Sequence, residues 1–398
     1  MKKALSILLA ALLVLALFAG CGKTEEPAPA PAPAKEDTNK PAENPKPADE
    51  TKPADETKPA DETPAEPAVV TYDGPAVEFT VNLSASEDRC GSYLGVFEKI
   101  TERTNGKVTF QNNYSGSVMA ASETLDGLGA GMTDFSDVAL QNYSDQFPYC
   151  QQVLSYPFLG IHSLAMGAEV ISEVIPKTPA MIGEFEKYNI YPLSFTTVWG
   201  TAIVCADDVA ISTPDTVKGM KLVTDAPLFS AYLNEIGATP VFQLPFDYYS
   251  SMTNGVADGV VNALNVVNIF GALQPAKHVY LFENSATTGL QTFCVNMDTW
   301  NAMDENLRQI FVEEFSSEDY WNFQFDYWAV NDQSHLDDAA AWGIPVETIS
   351  GADMQAWVDG MKPYGDNMLK DLESKGYTEC YAVLDAINEG IANYKGVH

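Results

Sequence analysis

The stretch that decides the fold runs from residue 77 to residue 111: VEFTVNL (77–83), SASEDRCGS (84–92), YLGVFEKITERT (93–104), NG (105–106) and KVTFQ (107–111). The first segment alternates and is rich in β-branched and aromatic residues, which predicts a strand. In the third segment, Tyr93, Leu94, Phe97 and Ile100 recur at helical spacing, which predicts a helix that ends before the Asn-Gly turn. A strand, a helix and a second strand in this order predict an α/β sheet with helices on its faces.

The same alternation of strands and helices continues through the middle of the chain. Further strands are predicted at 135–140, 191–195, 201–205, 221–223 and 239–243, and further helices at 122–129, 227–236 and from Pro245 to about Asn254. A helical pattern rich in aromatic residues runs from Glu305 to about Gln333, and the tail from 352 to 394 is mostly helical. In α/β sheets of this kind, ligands bind at the loops that follow the carboxyl ends of the strands.

The amino terminus has the features of an export signal followed by a tether. Residues 1–20 contain two lysines, an apolar core and small residues, which is typical of a signal peptide. The LFAGC sequence at 17–21 resembles a bacterial lipobox and predicts lipidation of Cys21; an ordinary signal peptide that contains a cysteine is the alternative. Residues 21–75 are dominated by Pro, Ala, Glu, Lys, Asp and Thr and repeat KPADET three times, which predicts a disordered tether.

Charge and motif content exclude several classes of function. The net charge of −33 argues against binding to nucleic acid phosphates. The chain contains no nucleotide-binding glycine loop after the first strand, no GxSxG and no HExxH, and its four histidines lack metal-ligand spacing. We therefore expect no enzymatic activity, no cofactor and no metal. Apart from Cys21, the five cysteines are widely and irregularly spaced, so they are interpreted as buried thiols, with one disulfide as the alternative.

Six short motifs, in order, carry a resemblance to a known family. They are FEKITERTNG (97–106), YSG (114–116) with GLGAGMTD (127–134), YPFL (156–159), TPD with KGMKL (213–222), GATPVFQLPF with NGVADG (237–259), and LRQIF (307–311). Each of them is weak alone, but their order and spacing together resemble the DctP family, the extracytoplasmic solute receptors of tripartite ATP-independent periplasmic (TRAP) transporters.

The resemblance implies a two-lobed α/β clamshell, similar to periplasmic binding proteins, with long connecting helices. Lobe I would contain residues 76–200 plus about 288–325, and lobe II residues 201–287 plus about 326–398. Closure of the lobes would bury a small solute, which the chain would deliver unaltered to the membrane permease subunits. The implied location is extracytoplasmic, on the outer face of the cell membrane, with the lipid at Cys21 as anchor.

The chain departs from the family at the position that decides the ligand. The family's binding arginine would follow the GMKL motif, where this chain has Val223, and a second arginine would fall at Ala202. A buried carboxylate without a cation is costly, so a simple organic acid is in doubt as the ligand. We expect instead a neutral, zwitterionic or cationic solute that is held by aromatic and amide side chains.

The residues expected near the solute lie in loops that the resemblance places at the cleft. Asn262 corresponds to the asparagine of the family's DGxEN motif and is the strongest polar candidate. Arg89 is either a substitute cation or a surface arginine, the acidic residues either contact the ligand or are solvated, and the aromatic residues either stack on it or belong to the core. The full set is Glu87, Arg89, Tyr93, Phe158, Trp199, Val223, Asp225, Phe246 and Asn262.

Other classes of function remain open at this point. An exported enzyme would require a catalytic group that the motifs do not supply. A cell-envelope adhesion module would suit the tether, but such modules are commonly β-sandwiches. A binding or sensor module that serves an ATP-driven transporter or a sensor kinase differs only in its partner.

Overall fold

The computed structural model describes residues 70–198, 200–285 and 289–396. The predicted signal peptide, Cys21, the tether as far as residue 69, and Trp199 lie outside the described residues. Within the described part of the chain, no helix is both long enough and apolar enough to span a bilayer.

The strands of the described residues, numbered along the chain, alternate with helices as expected. They are β1 (Val77–Asn82), β2 (Val108–Asn113), β3 (Phe135–Ala139), β4 (Ile190–Val198), β5 (Thr201–Cys205), β6 (Lys221–Thr224), β7 (Thr239–Phe242), β8 (Gly259–Ala263), β9 (His278–Phe282), β10 (Gly289–Asn296) and β11 (Val346–Ile349).

The α-helices of the described residues surround these strands. They are α1 (Gly91–Arg103), α2 (Thr124–Gly129), α3 (Leu164–Lys177), α4 (Pro179–Glu186), α5 (Pro227–Glu235), α6 (Tyr248–Thr253), α7 (Leu264–Ile269), α8 (Met297–Ala302), α9 (Glu305–Glu314), α10 (Glu318–Ala341), α11 (Gly351–Ser374) and α12 (Cys380–Asn393). Shorter 3-10 turns and one π-helical turn, Pro148–Val153, connect them.

The strands form two separate sheets. The first sheet has the order β2-β1-β3-β10-β4, and the second has the order β11-β9-β5-β8-β6-β7. In the first sheet β1 is parallel to β2 and β3, whereas β10 is antiparallel to β3 and β4. In the second sheet β6 is parallel to β7 and β8, and β5 is antiparallel to β8 and β9. This mixed α/β architecture confirms the predicted fold class.

Each sheet is covered by apolar residues on both faces. Along β10, Leu290 and Cys294 face one core cluster, whereas Phe293 and Val295 face another. Along β5, Ile203 and Cys205 face a third cluster, and Ala202 and Val204 face a fourth. This alternation follows from the two-residue period of a strand, and it produces two cores per sheet.

The chain passes between the sheets more than once. It moves from the first sheet to the second between β4 and β5, and it returns between β9 and β10. Helix α10 contacts α1 beside the first sheet and α7 and β11 beside the second, so it is a connecting helix. The helical pattern predicted from Glu305 to Gln333 is divided between two helices, α9 and α10. The Ser317 side chain accepts a hydrogen bond from Tyr320 N and thereby caps the start of α10.

The carboxyl-terminal helix packs beside the first sheet. Val383 and Ile387 of α12 belong to the same core cluster as Val170 and Val174 of α3. The lobe boundaries given above remain a proposal, and this packing favours placing α12 with the first lobe.

The five cysteines of the described residues, Cys90, Cys150, Cys205, Cys294 and Cys380, are buried free thiols. This is the interpretation that their irregular spacing favoured. Burial raises the pKa of both Cys90 and Cys205 to about 12, so these thiols stay protonated at neutral pH.

Candidate functional site

A cleft of about 680 Å³ is lined by residues from both sheets and their loops. The side of the first sheet contributes Gln141, Asn142, Ser144, Gln151, Ser155 and Gly289. The side of the second sheet contributes Thr201, Asp225, Ala226, Pro227, Leu228, Phe242, Leu244, Pro245, Phe246, Asn262, Ala263, Val266, Phe270 and Ser285. Small-molecule sites have volumes of about 300–1,000 Å³, so the cleft is large enough for a metabolite.

A hydrogen-bonded polar cluster lies on the side of the second sheet. Asp225 directly follows β6, and Asn262 lies near the end of the parallel neighbour β8, so both side chains reach the same edge of the sheet. The Nδ2 atom of Asn262 donates to Asp225 Oδ1 at 3.0 Å and to Tyr248 Oη at 2.7 Å. Burial raises the pKa of Asp225, and the hydrogen bonds from Asn262 and Tyr248 act in the opposite direction.

The apolar wall of the cleft is formed by side chains that solvent reaches. Phe246 is 79% exposed and Phe242 is 66% exposed, although both are large apolar residues. The Phe246 ring meets the Phe270 ring edge to face, with the centroids 4.9 Å apart. Exposed apolar side chains that cluster in a groove are typical of a surface that contacts another molecule.

The opposite wall of the cleft is amide-rich. Gln141 and Asn142 lie in the 3-10 turn after β3, and both are exposed. Gln151, on the π-helical turn, is held in place, because its Nε2 donates to Ser155 Oγ at 3.0 Å and its Oε1 accepts from Leu290 N at 3.1 Å. The side of the first sheet can therefore offer hydrogen-bond donors and acceptors, whereas the side of the second sheet offers apolar contacts together with the polar side chains of Asp225 and Asn262.

No lysine, arginine or histidine is among the described residues that line the cleft. The three arginines of the chain are Arg89, Arg103 and Arg308. Arg103 is paired with Glu313 and Glu314 at 2.6 and 2.7 Å, next to the first sheet, and Arg308 lies on α9. Asp225 is the single ionisable residue among the described lining residues.

Comparison with known protein families gives a clear match. Residues 84–371 match the family described as bacterial extracellular solute-binding protein, family 7, or DctP. The chain belongs to this family. It is a family of binding proteins rather than of enzymes, and it is extracytoplasmic, as the resemblance implied.

Solved structures of TRAP solute-binding proteins share the fold. A TRAP periplasmic solute-binding protein from Desulfovibrio salexigens aligns with a TM-score of 0.69 at 20% identity, over 81% of this chain and 98% of that one. A TRAP solute-binding protein from Rhodoferax ferrireducens, solved with copurified benzoate, aligns with a TM-score of 0.64 at 16% identity, over 80% and 98% of the two chains. One from Chromohalobacter salexigens, with bound D-glucuronate, aligns with a TM-score of 0.64 at 18% identity, over 78% and 99%.

Of the residues expected near the solute, the structure brings three together in the cleft: Asp225, Phe246 and Asn262. Val223 lies in β6, two residues before Asp225, and it is fully buried in the core cluster that also contains Tyr248. Ala202, the second position at which the DctP resemblance implies an arginine, is fully buried in the same core. Neither position thus presents a side chain to the cleft.

The other described candidates are not among the residues that line the cleft. Glu87 and Arg89 are exposed on a 3-10 turn, and the structure gives Arg89 no ion-pair partner among the described side chains. Tyr93 stacks on Phe293 with the ring centroids 4.8 Å apart, and Phe158 packs against Phe282 at 5.7 Å. Tyr93 thus packs against a core beside the first sheet, and Phe158 belongs to a core beside the second.

The DctP resemblance alone did not identify the amide wall. Gln141, Asn142 and Ser144 follow the carboxyl end of β3, and Gln151 and Ser155 follow a few residues later. The rule that ligands bind beyond the carboxyl ends of strands would have pointed to residues 140–146, because this segment is polar and directly follows a predicted strand.

Proposed function

We propose that this chain captures a small solute outside the cytoplasmic membrane and delivers it, chemically unaltered, to the permease subunits of a TRAP transporter. The observation that carries this proposal is the cleft of about 680 Å³, which receives lining residues from both sheets in a chain of the DctP family. Movement of the two lobes about their connecting segments would close the cleft over the solute, and the closed form is the one that the permease would recognise.

We propose further that the solute is neutral, zwitterionic or cationic. The relatives from Rhodoferax ferrireducens and Chromohalobacter salexigens hold benzoate and D-glucuronate, which are both carboxylates. In this chain, the described lining residues contain no cation that could pair with a carboxylate, and they contain one carboxylate of their own. An anionic solute in the closed cleft would be desolvated without compensation and would be repelled by Asp225.

The proposal includes an anchored location. Lipidation of Cys21 would hold the chain at the outer face of the membrane, and the proline-rich tether would let the binding domain reach on the order of 100 Å from it at about 3.1 Å per residue. Labelling of cells with a radioactive fatty acid tests the anchor, since the label should enter the wild-type chain but not a Cys21→Ser variant.

A thermal-shift screen of the purified chain tests solute binding. The library should contain organic acids, amino acids, sugars, nucleosides and amines, because a ligand that binds only the native state raises the melting temperature by mass action. We expect stabilisation by a neutral, zwitterionic or cationic compound, confirmed by calorimetry. Micromolar binding of a compound whose only charged group is a carboxylate would contradict the proposed ligand class, and binding of no compound at all would contradict solute capture.

A further inference from the structure

Asp225 occupies an unusual electrostatic position within the cleft. Its carboxylate is partly buried, and it is the one ionisable group among the described lining residues. Within the described part of the chain, no Lys, Arg or His nitrogen lies within 4.0 Å of it. Its two hydrogen-bonding partners, the Asn262 amide and the Tyr248 hydroxyl, are both neutral.

Neutral donors orient a carboxylate without neutralising it. The Asn262 amide uses one Nδ2 to join Asp225 Oδ1 and Tyr248 Oη, so the carboxylate is fixed in direction at the edge of β6 and β8. A charge that is fixed and partly buried, but has no counterion, is destabilising in the empty cleft and becomes more so when closure removes water. A cation brought by the ligand would remove this penalty, and a hydrogen bond between two charged groups is roughly twice as strong as one between neutral groups.

The surroundings of Asp225 fit a cation with an apolar body. The same side of the cleft is lined by Phe242, Leu244, Phe246 and Phe270. Phe242 and Phe246 are largely exposed. Aromatic rings attract cations through their faces and bury alkyl or aryl groups well. Purely polar solutes such as sugars would leave this wall in contact with water or with hydroxyl groups.

We propose that Asp225 pairs with a positively charged nitrogen of the bound solute, so that the solute is an organic amine or ammonium compound with an apolar body. This inference rests on the proposed function, because it assigns a partner to one residue of the same solute cleft. Asn262 acts here as a positioning residue that holds the carboxylate toward the ligand.

The test compares probes that share a body and differ in the head group. Calorimetry and thermal shift on the full chain would use phenethylamine, phenethyl alcohol and phenylacetate, with hexylamine, hexanol and hexanoate as an aliphatic set. The amine of at least one set should bind more tightly than its alcohol, and the acid should bind most weakly. We expect Asp225→Asn to weaken binding of the amine by roughly tenfold or more, equivalent to about 1.4 kcal/mol, and to leave the alcohol within about twofold.

A matched control is available on the same sheet. Asp207→Asn removes the same charge from an exposed residue just beyond β5. Since Cys205 pairs with Gly259 at the start of β8, Asp207 lies at the edge of the sheet opposite Asn262, away from the cleft. This variant should bind the amine as the wild type does.

A second measurement needs no variant. In the wild type, protonation of Asp225 should weaken binding of the amine, but not of the alcohol, as the pH is lowered from about 7 to about 4.

The outcomes separate this inference from the proposed function. If alcohols or acids bind and the amines do not, or if Asp225→Asn leaves the affinity for the amine unchanged, the amine assignment is overturned while solute capture stands. If no probe of any charge binds and the wider screen also finds no ligand, both are overturned.

Discussion

Aromatic rings occur in two contrasting settings in this protein. Beside the first sheet, the rings of Phe79, Phe135 and Phe311 are buried and contact one another, with centroid distances of 5.2 to 6.0 Å. At the cleft edge of the second sheet, Phe242 and Phe246 are 66% and 79% exposed. Residues of the same type thus pack into a core in one region and form an exposed apolar surface in the other.

The carboxyl groups show the same contrast. Glu184 is fully buried and accepts hydrogen bonds from the backbone N–H groups of Tyr149 and Cys150 at 2.8 and 2.9 Å. Asp225 is only partly buried and faces the cleft. Burial raises the pKa of both groups, but Glu184 has its partners inside the protein, whereas Asp225 has an open side. Side-chain type therefore does not separate residues of the cores from residues that line the cleft, and exposure toward the cleft does.

The largest expected effect comes from the buried rings. Phe135→Ala should lower the free energy of unfolding by about 3–5 kcal/mol, because it removes a fully buried ring and leaves a cavity among Phe79, Phe293 and Phe311. Urea denaturation followed by circular dichroism measures this change. Phe246→Ala is the matched control and should change the free energy of unfolding by no more than about 0.5 kcal/mol. Equal losses of unfolding free energy in both variants would show that the buried and the exposed rings contribute alike to stability.

A pH series tests the buried carboxyl group. The pKa of Glu184 is raised from 4.5 to about 7, mainly by burial, so the folded state holds this proton more tightly than the unfolded chain does. The contribution of Glu184 to stability is therefore complete below about pH 4.5 and is lost as the pH rises through about 7, by about 3 kcal/mol in all.

The Glu184→Gln variant provides the reference for that series. Glutamine is neutral at every pH. Its single Oε1 can accept from only one of the two N–H groups, Tyr149 N or Cys150 N, which Glu184 binds with separate oxygens, so the variant carries a loss of stability that does not depend on pH. The difference in unfolding free energy between wild type and variant should therefore change with pH between about 4.5 and 7 and stay flat below that range. A constant difference across the whole range would show that Glu184 does not titrate there.

The sequence predicted the architecture better than it predicted the cleft. Between residues 77 and 113, alternation predicted the first strand, helical spacing predicted the helix and the Asn-Gly pair predicted the turn. All of these are local signals. Asp225, Phe246 and Asn262 were predicted from the resemblance to the DctP family, and the structure places all three at the cleft; their contact with a solute stays a prediction.

Other residues could not be placed from local signals. Tyr93 and Phe158 lie near predicted cleft loops in sequence, but their rings turn into the cores against Phe293 and Phe282. Whether an aromatic residue faces a core or a cleft depends on the partner that packs on it, and that partner is distant in the chain. The amide of Gln151 shows the converse: it lies on the π-helical turn, and it is fixed at the cleft by the backbone of Leu290 in β10, a strand that is distant in the chain.

The exposed rings at the cleft carry the next prediction. Once a ligand has been identified by the thermal-shift screen, Phe246→Ala should weaken its binding by roughly five- to tenfold, or about 1.0–1.4 kcal/mol, because an apolar contact is lost while the hydrogen bonds remain. Calorimetry measures this change. Val312→Ala, which truncates an exposed apolar residue on α9, is the control and should leave the affinity unchanged. If both variants bind like the wild type, the apolar wall does not contact the ligand.

The smallest expected effect concerns the five thiols of the described residues, all of which are buried. In a Cys21→Ser chain, the five buried thiols should react with Ellman's reagent only after denaturation, because each of them is shielded and burial raises the pKa of each one. A reductant should leave the melting temperature of this chain unchanged, since all five thiols are free. A thiol that reacts in the native protein would show that one of these cores opens to solvent, and the distinction between closed cores and an open cleft would then fail at that site.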